Sequence, residues 1–78
     1  MIPAAREAEI LAKCAGILGV ESISGRDDFF GVGGDSLDAA EISEMLTAEL
    51  GRDVDMETVL RSPTFAAMLS SIGSRSPE

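Results

Sequence analysis

The stretch Asp27-Asp28-Phe29-Phe30-Gly31-Val32-Gly33-Gly34-Asp35-Ser36-Leu37 decides how this 78-residue chain is read. Its glycines lead into a serine at the start of a segment with helical periodicity. On a 3.6-residue wheel Ala39, Ile42, Leu46 and Leu50 share one face, which predicts a helix over residues 36–50. Asp38, Glu41, Glu44 and Glu49 lie away from that face, Leu37 falls opposite it and Met45 sits at its border. Gly51 suits the left-handed position that closes such a helix. At the other end, the first turn offers unpaired N–H groups and a partial positive charge. A phosphate ester on Ser36 would therefore sit where an anion is stabilised. Glycines, lacking side chains, leave the hydroxyl open to another protein's active site.

Working outward, the motif closes a long connection, residues 21–34, rich in Ser, Gly and Asp. A loop of that length in so short a chain needs anchoring or a function. Phe29 and Phe30, two of only three aromatic residues, are its anchors, and at least one is expected to plug the core from a short helical turn. Upstream, Ile10, Leu11, Cys14, Ile17 and Leu18 recur at helical spacing, predicting a first helix over residues 4–18. Pro3 is expected in its first turn and Gly19 after its last. Downstream, Asp55 is expected to cap a short helix through residue 60, with Met56, Val59 and Leu60 facing in. Ser62-Pro63 reads as N-cap and first helical position of a last helix carrying Phe65, Met68, Leu69 and Ile72 on one face. Residues 73–78 are expected to be a flexible tail. The fold class is all-α: a four-helix bundle of three main helices and one short one, in a single domain with a core over residues 4–72.

Composition narrows the function. Fourteen acidic residues against six basic ones give a net charge of −8, which argues against phosphate-backbone binding and hence against nucleic acid. Without His, a Ser-His-Asp or Cys-His pair cannot form within the chain. The single cysteine, Cys14, can make neither an internal disulfide nor a thiolate zinc site alone, and its place on an apolar face reads as a small buried hydrophobe. No apolar run approaches the ~18–20 residues of a membrane span. The expectation is a small, acidic, soluble, cytoplasmic and monomeric protein, without metal or catalysis of its own, that works through partners.

Three familiar chemistries fail on spacing. A P-loop needs Lys where Asp35 stands, and a nucleophile elbow needs Gly two residues after the serine, where Asp38 stands. Asp53-Val54-Asp55-Met56-Glu57 lacks the central glycine of a calcium loop. One plain reading survives beside the chemical one: Asp-Ser at a helix start is a common capping pair, leaving Ser36 a cap in an unmodified interaction module.

The motif resembles the attachment sequence of peptidyl (thiolation) carrier domains from nonribosomal peptide synthetases. Ile17-Leu18-Gly19-Val20, Leu50-Gly51 and Ser62-Pro63-Thr64-Phe65 extend the resemblance over residues 10–72. It implies a bundle of the acyl-carrier type whose motif serine, here Ser36, carries 4′-phosphopantetheine. A phosphopantetheinyl transferase would donate that arm from coenzyme A, and an adenylating enzyme would load its thiol. Condensation, tailoring or thioesterase enzymes would then visit. Two features depart from the family pattern. Asp35 replaces the His frequent before the serine, and Leu37-Asp38-Ala39-Ala40-Glu41-Ile42 is closer to acyl carriers of fatty-acid and polyketide pathways, which stand as the alternative. The mixture suggests a free-standing carrier, with an excised synthetase domain as the other option. Gly34, Asp35, Leu37, Asp38, Glu41 and Met45 are the expected partner contacts, with exposed carboxylates steering basic surfaces and Leu37 supplying apolar area.

Overall fold

Helical periodicity in the sequence becomes four helices in the computed structural model, which describes residues 2–73: α1 Ala4–Leu18, α2 Ser36–Leu50, α3 Met56–Arg61 and α4 Phe65–Gly73. Each starts and stops for a local reason. Gly19 and Gly51 sit at φ 72° and 65°, the left-handed conformation that ends α1 and α2. Asp55 caps α3, its carboxylate accepting from the Thr58 backbone N–H and hydroxyl. Pro3 stands one position earlier than expected, as the residue flanking α1, where its carbonyl accepts from Glu7 N–H.

The start of α4 also differs from expectation. Ser62 is the extended residue that ends α3, and its hydroxyl is spent on the Thr58 carbonyl at 2.6 Å. Thr64 caps α4 instead, its Oγ1 accepting from Ala67 N–H at 3.1 Å. Pro63 therefore lies in the turn ahead of the helix, and α4 runs on through Gly73, one residue into the expected tail. The rest of that tail lies outside the described residues.

One core unites the four helices: Ile10, Leu11 and Cys14 from α1, Ala39, Ile42 and Leu46 from α2, Val59 from α3, and Phe65, Met68, Leu69 and Ile72 from α4. Met56 and Leu60 pack on its edge, half-buried. Ser43, a polar residue the wheel had not placed inside, is buried, and its hydroxyl donates to the Ala40 carbonyl one turn back. Outside the core, α1 is tied to the end of α2 through Glu49: Arg6 Nη2 reaches its carboxylate at 3.0 Å and its carbonyl at 2.6 Å, and Lys13 pairs with the same carboxylate.

The long connection between α1 and α2 is pinned to α4. Carbonyls of Gly25 and Asp27 accept from Ala66 N–H at 2.8 Å and Phe65 N–H at 3.1 Å, satisfying donors the first turn of α4 leaves open. A Cβ on Gly25 would lie 3.2 Å from the Ala66 Cβ, a tight contact that α4 would have to yield to by a few tenths of an ångström. Ile23 and Phe29 descend into the core from this loop, and the Phe29 ring meets Phe65 edge-on at 6.4 Å. The loop is thus an ordered element, and its end is delivered to a fixed place at the head of α2.

Candidate functional site

Three hydrogen-bonded turns carry the chain from Asp28 to α2: Val32 N–H to the Asp28 carbonyl, Gly33 N–H to Phe30, and Gly34 N–H to Phe29, each at 3.0 Å. Gly33 takes φ 92°, a conformation open to glycine. Gly34 answers a different demand. A Cβ there would fall 2.5 Å from the Phe29 ring, so the backbone lies directly on that ring and admits no side chain. The openness expected of this glycine is therefore spent inward on the core. Gly34 is half-buried and shapes the site from beneath.

Asp35, extended at φ −135°, is the N-cap of α2. Its Oδ1 accepts from Asp38 N–H at 3.0 Å, and Asp38 Oδ2 accepts from Asp35 N–H at 3.3 Å. This reciprocal capping box settles the capping question: the carboxylate does the work, and Ser36 is the first residue inside the helix. Ser36 is exposed, and among the described residues its hydroxyl makes no hydrogen bond. Helix geometry leaves the N–H groups of Ser36 and Leu37 without intrahelical partners. An unencumbered serine oxygen thus stands beside two open amide donors.

Around it, Leu37 is 77% exposed, and Glu41 and Glu44 line the outer face of α2. Met45, at the border of the apolar face as the wheel places it, is half-buried against the core, and Asp38 is committed to the cap. Phe30 emerges as a residue that sequence reasoning had treated only as an anchor: it is 56% exposed, its ring edge-on to Phe29 at 5.2 Å. Adjacent residues on one tight turn cannot both point inward, and that was the signal in the Phe29-Phe30 pair. Elsewhere, Cys14 is fully buried, and desolvation pushes its thiol up to about 11, so it stays protonated and inert at neutral pH. Among the described residues no group of three or more His, Cys, Asp or Glu is placed to hold a metal, and no helix is long and apolar enough to cross a membrane.

Residues 8–72 match the family model described as the phosphopantetheine attachment site. The chain belongs to that family. Its prosthetic group is 4′-phosphopantetheine, held covalently, and the site fits it: a free, exposed hydroxyl to take the phosphoryl group and open first-turn amides to face its charge. The chain is 40% identical over 63 residues to CymA of Salinispora arenicola, described as a probable non-canonical nonribosomal peptide synthetase, and 37% identical over 62 residues to tyrocidine synthase 3 of Brevibacillus parabrevis. Each alignment covers 80% of this chain and 1% of the relative, so the chain spans a small fraction of these proteins' length. Among solved structures it resembles BlmI, a type-II acyl carrier protein of Streptomyces verticillus involved in bleomycin biosynthesis. That match has a TM-score of 0.81 and 26% identity, covering 87% of this chain and 82% of BlmI. The synthetase FmoA3 matches at TM-score 0.76 and 32% identity, over 87% of this chain and 7% of that one. The resemblance read from the motif and the all-helical carrier fold are both borne out.

Proposed function

We propose that this chain is a carrier protein whose Ser36 bears 4′-phosphopantetheine and presents aminoacyl or peptidyl groups, as thioesters, to the enzymes of nonribosomal peptide assembly. The observation that carries the assignment is the division of labour at the head of α2: Asp35 and Asp38 hold the helix end, and Ser36 Oγ is left exposed and unbonded. When bound, the arm supplies the thiol that Cys14, buried and protonated, does not. The chain's own residues orient rather than catalyse. No His is present to take the Ser36 proton, and no hydrogen bond joins the hydroxyl to Asp35 or Asp38 among the described residues. A partner transferase is therefore the source of the base, and coenzyme A the source of the arm.

Peptidyl cargo is favoured over fatty or polyketide acyl cargo by the synthetase relatives, and an adenylating enzyme is then the loading partner. The breadth of the match to BlmI, a discrete carrier, supports action on enzymes in trans.

Intact mass after incubation with coenzyme A, magnesium and a broad-specificity phosphopantetheinyl transferase tests the reading. One phosphopantetheinyl gain is expected in the wild type and none in Ser36→Ala, whose Tm stays at the wild-type value because the cap is elsewhere. Asp35→Ala, by contrast, should cost about 0.5–2 kcal/mol. A Ser36→Ala variant that loses stability on that scale, with no mass gain in the wild type, would return Ser36 to a capping role.

A further inference from the structure

Phe30 lies outside the buried core. Phe29 fills the core and closes on Phe65, whereas Phe30 leaves more than half its surface in water. Apart from Leu37, it is the exposed large hydrophobic residue among those described. Nor does it hang loosely, because its ring rests edge-on against Phe29 and its carbonyl is held by Gly33 N–H. Phe29 in turn lies directly beneath Gly34, two residues before Ser36. An exposed aromatic side chain that rests on a buried ring fits the profile of an interface anchor, because that contact limits the freedom lost on burial.

Resting on the reading of Ser36 as the modified residue, we infer that Phe30 is a docking anchor for the transferase that modifies it, inserted into an apolar pocket rimmed by Lys or Arg. Two observations select this occupant. An enzyme acting on the Ser36 oxygen must close on the head of α2 and therefore on the turn stacked against it. For an enzyme acting at the far end of the arm, the chemistry itself does not require that closure. The rim follows from charge: between residues 27 and 51 there is no Lys or Arg, while Asp28, Asp35, Glu41 and Glu44 are exposed. A basic rim is the complement to such a surface.

The test is steady-state phosphopantetheinylation of wild type, Phe30→Ala and Phe30→Gln by a broad-specificity transferase, with Tm measured on each. Phe30→Ala is expected to retain the wild-type fold and to lose about tenfold in kcat/KM, the scale of a truncated interface anchor. The loss should appear mainly in KM, as removal of a docking contact requires. Phe30→Gln keeps the bulk without the apolar ring and should lose as much, so the question stays answerable if the alanine variant unfolds. Unchanged kcat/KM in a folded variant, or a loss confined to kcat, overturns the inference while leaving Ser36 as the modified residue. A wild type that gains no mass overturns the carrier reading itself.

Discussion

Gly34 shows how much of the site is set by one missing methyl group. The ring of Phe29 passes beneath its Cα where a Cβ would come within 2.5 Å of ring carbons. Phe29 is 3% exposed and held against Phe65, so it cannot swing aside without opening the core. Gly34→Ala is therefore an overpacking substitution, expected to cost about 1–3 kcal/mol, a large share of the ~3–5 kcal/mol a core of this size supplies. Thermal denaturation should show a Tm lowered by roughly 4–8 °C for each kcal/mol lost. The cause is checked by repeating the substitution in a Phe29→Leu background, where the smaller side chain should absorb much of the penalty. An equal penalty in both backgrounds would mean that the ring is not what excludes a side chain. The position of Ser36 is thus set by a glycine whose purpose is internal.

At the scale of elements, α1 and α2 are held at one end by Glu49, which answers both Arg6 and Lys13. The hydrogen bond from Lys13, then the charge and bonds of Arg6, hold the Glu49 carboxyl below its ordinary value of 4.5. A carboxylate with a depressed folded-state pKa contributes stability above the unfolded value, and that contribution is lost as pH falls through the folded one. Glu49→Gln should therefore lower Tm at neutral pH and leave it unchanged relative to wild type at pH well below 4.5. Because the pair is solvated, the difference at neutral pH should also shrink as salt is raised. A Tm difference independent of pH would assign the effect to packing of the side chain. These ties were not legible in the sequence, since they join residues from different helices. Neither were the Gly25 and Asp27 carbonyls on α4. The helices themselves were legible, because apolar spacing and the Gly19 and Gly51 stops are local signals. Ser62-Pro63 misled for the same reason: of two residues that look like a helix start, Ser62 ends α3 and Pro63 lies in the turn, and Thr64, one step on, takes the cap.

Over the whole molecule, a net charge of −8 is distributed unevenly. Asp27, Asp28, Asp35, Asp38, Glu41, Glu44 and Glu49 fall within residues 27–51 with no basic residue among them, whereas Arg6, Lys13, Arg26, Arg52 and Arg61 lie outside that span. From Asp27 through Glu44 the charges around Ser36 are therefore all acidic, while Glu49 at the far end of α2 is paired with Arg6 and Lys13, and such a local field raises the encounter rate with a basic partner at low ionic strength. Leu37, 77% exposed beside the serine, adds contact area that salt does not screen. The two contributions separate in one experiment. The kcat/KM for phosphopantetheinylation should fall as ionic strength rises, because the Debye length shrinks from about 10 Å at 0.1 M to about 3 Å at 1 M. Leu37→Ala should lower kcat/KM severalfold at every salt concentration, with the same salt slope and a Tm near the wild-type value. Glu41→Gln combined with Glu44→Gln should instead flatten the slope while matching the wild type at high salt. If the wild-type rate does not depend on salt, the acidic face plays no part in steering. A large Tm loss in Leu37→Ala would place that side chain among the residues that hold the bundle together.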